Sequence, residues 1–178
     1  GLTYNRLENV VAWHRHIIGG KSDTTKNIIQ QQISFTSNTT IVSTSNNTIT
    51  LSSHGLSTGD PVYYYAASNV IGGLNISSLY YVIASDSNTI KLATTAANAT
   101  AGTAISFTSA PSSDTTQYIY QGVNISSNFI YSVAHGFTTG DIFYYDNTGT
   151  SIGGLAENTK YYVEKIDNNQ FKLYSNKT

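Results

Sequence analysis

One stretch of this chain occurs twice. Residues 47 to 95 align without a gap on residues 128 to 176, at a constant offset of 81, with 20 of 49 positions identical. Four of the identical blocks pair His54-Gly55 with His135-Gly136, Thr58-Gly59-Asp60 with Thr139-Gly140-Asp141, Ile71 to Leu74 with Ile152 to Leu155, and Tyr80-Tyr81-Val82 with Tyr161-Tyr162-Val163. A duplicated stretch has to fold as a unit each time, so the chain is restricted to two small modules. Each has about 65 residues, a size at which roughly 60% of the unfolded surface can be buried. Repetition also weighs against catalysis, because an enzyme assembles its reacting groups in one place while a binding or structural array repeats the whole unit.

The composition narrows the class further. Charged residues are 11% of the chain, the formal net charge is −1, and there are 14 tyrosines and no cysteine or methionine. That is the profile of an extracellular or virion β protein whose solubility rests on Ser, Thr, Asn and Gly. Without cysteine there are no disulfides and no thiolate metal sites. Lys91 is the only basic residue between Lys26 and Lys160, so the modules lack a cationic groove for a phosphate backbone, and nucleic-acid binding is not expected of them. No apolar run approaches 18 residues, so no membrane-spanning helix is expected. A first residue of Gly1 and the absence of an initiator methionine suggest a segment of something longer.

Short β-branched and aromatic runs bounded by Gly, Asn, Asp and Ser read as strands, and no helical period persists. The expected fold is all-β: two tandem small β-barrel modules, 37–110 and 117–178, preceded by a short β lead segment, 1–36. Comparing the copies assigns faces, since positions that stay apolar point inward and positions that accept charge do not. Tyr65 aligns with Asp146, Leu79 with Lys160 and Ile83 with Glu164. This parity places Val62, Tyr64, Tyr80, Val82, Ile90 and Leu92 in one core, and Phe143, Tyr145, Tyr161, Val163, Phe171 and Leu173 in the other. It places Tyr63, Tyr81, Tyr144 and Tyr162 outside, as a candidate aromatic platform for a sugar or a partner protein. Module one continues through Ala96 to Thr108, read as a turn and a closing strand, whereas module two has no equivalent and is expected to be incomplete at its C-terminus. Another chain or segment would supply what is missing.

Other constellations carry less. His14 and His16 share one face of a strand, a spacing suited to a metal, but no third ligand is identifiable and no metal or other cofactor is expected. His54 with Asp60, and His135 with Asp141, could form acid/base pairs. Because the pair recurs at a turn in both modules, bonding of the loop backbone is the favoured role. A polysaccharide hydrolase would need paired carboxylates on facing strands, and the only acidic positions common to the copies, Asp60/Asp141 and Asp86/Asp167, fall in predicted turns. No catalytic residue is assigned.

The block Leu2-Thr3-Tyr4-Asn5, Val10-Val11-Ala12-Trp13-His14-Arg15-His16 and Gly19-Gly20 resembles a stretch of phage tail tubular protein B, the nozzle of short-tailed phages. The resemblance implies a platform element from which the two modules loop out as an insertion, and a ring of identical subunits, hexameric in that family. The repeats, through His54 to Asp60, Gly72-Gly73-Leu74, Tyr80-Tyr81-Val82 and Ile90-Lys91-Leu92, look like modules of phage tail proteins similar to the first catalytic-cysteine half-domain of ubiquitin-activating enzymes. That second likeness implies a fold and no ubiquitin chemistry. The resulting expectation is a non-enzymatic structural protein of a phage virion tail, whose partners are itself, other tail proteins and a host-surface glycan. The competing expectation is a carbohydrate-binding adhesin array on a cell or virion surface.

Overall fold

A computed structural model describes residues 10–18, 21–23, 27–76, 78–124, 128–132, 134–147 and 154–176. The chain is all-β, every strand pair whose register is described is antiparallel, and it divides into two compact units: residues 33–120, and residues 1–32 together with 121–178. The division differs from the expected one. Residues 1–32 of the segment 1–36 read as a separate lead fall with module two and residues 33–36 with module one, and the boundary before module two lies at Tyr120/Gln121 rather than in the Pro111 to Thr116 bridge.

In module one the strands are β4 (Val42–Ser43), β5 (Thr48–Thr50), β6 (Pro61–Ala66), β7 (Leu79–Asp86), β8 (Thr89–Ala93) and β9 (Thr115–Gln121), in the order β9-β6-β7-β8-β5-β4. Each follows from β-branched and aromatic residues alternating in and out. The β7–β8 hairpin closes on Asp86-Ser87-Asn88, where the Asn88 amide donates to the Asp86 carboxylate at 2.7 Å, the side-chain-to-backbone turn these residues favour. The six inward positions expected here, Val62, Tyr64, Tyr80, Val82, Ile90 and Leu92, are all buried, and Phe35, Val42, Ile49, Ile71, Phe107 and Ile119 join them in one cluster. Every member of that cluster lies between residues 33 and 120.

The stretch after β8 is not the expected turn and strand. Ala96–Thr100 forms a one-turn helix, α1, capped by Thr95, whose hydroxyl accepts from the Asn98 amide at 3.0 Å. Five residues, three of them alanine, favour a helix yet are too few to show a period. Thr103 to Phe107 makes single bonds to separate partners instead of a ladder: the Ile105 amide donates to the Leu92 carbonyl at 2.8 Å and the Phe107 amide to the Asn47 side chain at 2.8 Å. The segment then meets Gly72, whose amide donates to the Ser109 carbonyl at 2.9 Å. Close approach requires the glycines here. A Cβ on Gly73, which sits at φ +95°, would lie 2.5 Å from the Ser106 carbonyl oxygen. Gly73→Ala therefore combines left-handed strain with a backbone clash and is expected to cost about 2 kcal/mol, measured as a lower denaturation midpoint.

Module two repeats the scheme with β10 (Val123–Asn124), β11 (Phe129–Tyr131), β12 (Ile142–Asn147), β13 (Thr159–Lys165) and β14 (Gln170–Tyr174). The registers coincide at the offset of 81. Val42↔Ile49 corresponds to Val123↔Ile130, Ile49↔Ile90 to Ile130↔Phe171, Val62↔Tyr80 to Phe143↔Tyr161, and Val82↔Leu92 to Val163↔Leu173. All six inward positions expected here, Phe143, Tyr145, Tyr161, Val163, Phe171 and Leu173, are buried.

The sixth strand of module two comes from the start of the chain. In module one β9 pairs with β6 through Tyr63↔Tyr120, Tyr64↔Ile119, Tyr65↔Tyr118 and Ala66↔Gln117. In module two the place of β9 is taken by β1 (Val10–Ile18), which pairs with β12 through Tyr144↔Arg15, Tyr145↔His14, Asp146↔Trp13 and Asn147↔Ala12. Each of the four β12 residues is the 81-offset counterpart of its β6 equivalent. The other edge of β1 pairs with β2 (Lys21–Asp23) and with the first residues of β3 (Asn27–Ser37). An unpaired β12 would present a row of free amides and carbonyls, and β1 satisfies them.

Candidate functional site

The residues most strongly repeated in sequence turn out to be braces. His54 Nδ1 accepts from the Leu56 amide at 2.9 Å, and its Nε2 donates to the Asp86 carbonyl at 2.8 Å. His135 does the same with the Phe137 amide at 2.9 Å and the Asp167 carbonyl at 2.8 Å. An Nδ1 lone pair held by an amide and an Nε2 proton held by a carbonyl define one neutral tautomer. Asp60 accepts from the Ser57 amide and Asp141 from the Thr138 amide, each at 2.9 Å. Thr58 and Thr139 accept from the amides of Ala84 and Lys165 at 3.0 Å. Tyr80 and Tyr161 accept from the amides of Asn75 and Ala156. His and Asp in each loop thus bond backbone rather than each other, as the loop-bracing reading expected. An open depression of about 670 Å³ beside His54 is lined by Leu56 and Ala84 as well as by Ser53, Thr58 and Asp86, and the imidazole there already has both nitrogens engaged.

Burial holds the His135 imidazole below its ordinary value of 6.5, with the hydrogen bond to the Asp167 carbonyl opposing the shift. The unfolded chain therefore takes up a proton first as pH falls. The stabilisation is full above about 6.5, the unfolded value, and is lost progressively below it. Chemical denaturation followed from pH 7.5 to 5 should show a falling midpoint for module two, and His135→Asn should flatten that fall.

The four tyrosines expected outside fall two in each module. Tyr81, Tyr144 and Tyr162 are half-exposed, and within each module the tyrosines of the pair are diagonal neighbours, since Pro61 faces Tyr81 while Tyr63 faces Leu79, and Ile142 faces Tyr162 while Tyr144 faces Lys160. The Lys160 ammonium lies 5.4 Å from the Tyr162 ring centre. Its hydrogen bond to Tyr162 holds the lysine above its ordinary value. Tyr63 is the correction: it is 2% exposed, although it lies outside the core cluster of its module. Parity gave the face correctly, but β6 is covered on both faces at this position, so this ring offers no surface.

Module one instead groups Tyr65 and Tyr118, both half-buried, with the buried Tyr120. Tyr65 and Tyr118 face each other across β6 and β9, and Tyr120 is two residues along on the same side of β9. Ring centres are 6.3 Å apart for Tyr65–Tyr118, 6.5 Å for Tyr65–Tyr120 and 5.7 Å for Tyr118–Tyr120. Tyr120 is the buried member, and burial, with its two tyrosine neighbours, pushes its phenol up to about 12. The alternation in Thr115–Gln121 carries the signal for this group, and reading residues 111–116 as a bridge obscured it. In module two the same register positions hold Asp146, Trp13 and Arg15.

His14 and His16 lie in β1, in register with Tyr145 and Phe143, and their side chains fall outside the described residues. Among the described residues, no group of three His, Cys, Asp or Glu side chains is placed to hold a metal ion, and no helix is long and apolar enough to cross a membrane. No protein-family model matches the chain, and neither a curated protein nor a solved structure does.

Proposed function

We propose that this chain is a non-catalytic structural component of a phage virion tail, part of a nozzle or tail tubular protein, whose β modules serve assembly and contact with the host surface. The observation that carries the reading is the use made of the repeated polar residues. In both copies the His, Asp, Thr and Tyr that chemistry would need are spent on backbone bracing, which is what a building unit requires. The placement within a tail rests on the resemblance of residues 2 to 20, and it makes identical subunits and other tail proteins the partners. Electron microscopy of the native particle tests it: a closed ring containing this chain at the tail supports the reading, and a chain found apart from any tail removes it.

The second reading, a carbohydrate-binding adhesin, is favoured by one feature, the Tyr65–Tyr118–Tyr120 group on a face of module one. Pyranose rings stack on such aromatic surfaces through their C–H faces. On that reading, Tyr65→Ala and Tyr118→Ala each abolish binding on a glycan array without lowering the denaturation midpoint by more than about 1 kcal/mol. Unchanged glycan binding excludes the role.

A further inference from the structure

The two copies differ where the loop after β5 meets the β7–β8 turn. In module one the junction is tied at four points: the Leu51 amide donates to the Asn88 carbonyl at 2.7 Å, the Ser53 amide to the Asn88 side chain at 2.8 Å, the His54 amide to the Ser87 carbonyl at 3.2 Å, and His54 Nε2 to the Asp86 carbonyl at 2.8 Å. Both tied segments line the open depression of about 670 Å³, a size within the range of about 300–1,000 Å³ common for small-molecule sites. Among the described residues, the hydroxyls of Ser53, Ser57 and Ser87 have no protein partner, and Asp86 uses only Oδ1, which accepts from the Asn88 amide at 2.7 Å. Leu56 and Ala84 add apolar surface beside them. Module two keeps the brace and removes these features. Ala134 stands at the place of Ser53, Lys165 at that of Ala84 and Gln170 at that of Thr89. There the Asn169 and Gln170 amides donate to Asp167 Oδ1 at 2.7 and 2.8 Å, and Gln170 Nε2 donates to Oδ2 at 2.7 Å, so both carboxylate oxygens are engaged. The turn therefore folds equally well with the second oxygen tied, and nothing in the fold of module one requires Asp86 Oδ2 to be open.

We infer that this depression of module one binds one neutral sugar ring of a glycan. Asp86 Oδ2 accepts from ring hydroxyls, the Ser53 and Ser87 hydroxyls exchange hydrogen bonds with their neighbours, and a C–H face of the ring lies on Leu56 and Ala84. A carboxylate is the strong acceptor such a ligand needs, since a charge-assisted hydrogen bond is roughly twice as strong as a neutral one. The same carboxylate, with no Lys or Arg in the lining, turns away phosphorylated and acidic sugars. Walls tied by hydrogen bonds before the ligand arrives lower the ordering cost of binding. An open site removes little of the ligand from water, so the dissociation constant is on the order of millimolar, and several copies in one particle would raise the avidity. The inference rests on the host-surface contact proposed above, and it names the ligand class and the residues of that contact.

The test is a titration of the isotopically labelled full-length chain, followed by amide resonances, with glucose, galactose, mannose and N-acetylglucosamine. Each sugar is taken to about 50 mM, well above a millimolar dissociation constant. At least one of the four is expected to move the amides of Ser53, Ser57, Asp86 and Ser87 saturably, while the counterparts Ala134, Thr138, Asp167 and Asn168 stay in place. Ala84→Lys and Thr89→Gln copy residues that module two already accommodates, so the fold tolerates them, and each is expected to weaken binding about tenfold. Ser87→Ala, at an exposed position, weakens it with the denaturation midpoint unchanged. Loop amides that do not move with any of the four sugars overturn the inference. So do shifts confined to Tyr65, Tyr118 and Tyr120, which place the sugar on the tyrosines, and so does undiminished binding by Ala84→Lys and Thr89→Gln. Failure here leaves the tail placement to microscopy, and a chain found apart from any tail leaves the sugar site standing.

Discussion

Removal of residues 1–26 is expected to unfold module two and leave module one folded. The deletion takes away β1 and β2, and with β1 the six register pairs from Ala12↔Asn147 to Ile17↔Ile142. β12 is then an unpaired edge next to β13, with the backbone groups that β1 satisfied left open. Several buried backbone groups left without partners, at about 1–3 kcal/mol each, exceed the few kcal/mol a module of this size can spare. Module one suffers no such loss, because its core from Phe35 to Ile119 and the β9 residues paired with β6, Gln117 to Tyr120, lie within residues 33–120. Native-state hydrogen exchange reads the difference: amides of β12–β14 lose protection while those of β6–β8 keep it. Equal loss in both modules would show that the lead strand stabilises the chain as a whole and not module two in particular.

The second large effect is expected at His135. Its ring is fully buried, with centres 5.2 Å from Phe137 and 5.2 Å from Phe171, and those phenyl rings lie 4.9 Å apart and 5.8 Å and 5.7 Å from Phe143. His135→Ala removes the acceptor of the Phe137 amide and the donor to the Asp167 carbonyl and opens a cavity beside three phenyl rings. Two unsatisfied backbone groups and the lost packing together cost about 3–5 kcal/mol, read as a lower urea midpoint for module two. His135→Asn restores some hydrogen-bonding capacity and is expected to recover part of the loss. A change below about 1 kcal/mol, the scale of an ordinary exposed substitution, would mean that the loop does not depend on the imidazole.

Much of the fold is legible in the two copies compared side by side. Substitutions such as Ile83 to Glu164 mark the solvent side, and all twelve core positions inferred from such pairs are buried. The role of the His-Asp loops is legible for the same reason, since a pair repeated at a turn is better explained by the turn than by chemistry. The sixth strand is not legible. Gln117-Tyr118-Ile119-Tyr120 and Ala12-Trp13-His14-Arg15 share no residue type, because a strand joined through backbone pairing needs only a compatible pattern. Helix α1 escapes because one turn has no period, and Tyr63 because side-chain parity tells which face a residue occupies and nothing about what covers that face. The aromatic group at Tyr65, Tyr118 and Tyr120 needs the β6–β9 register before its members can be brought together.

Residues 12–17 form the strand next to β12, in the place that β9 holds next to β6. Nuclear Overhauser contacts in the isotopically labelled full-length chain test it most directly. Cross-strand backbone contacts are expected at Trp13/Asp146 and Arg15/Tyr144, matching those at Tyr118/Tyr65 and Tyr120/Tyr63. Contacts from β12 to β13 alone, with freely exchanging amides along its other edge, would contradict it.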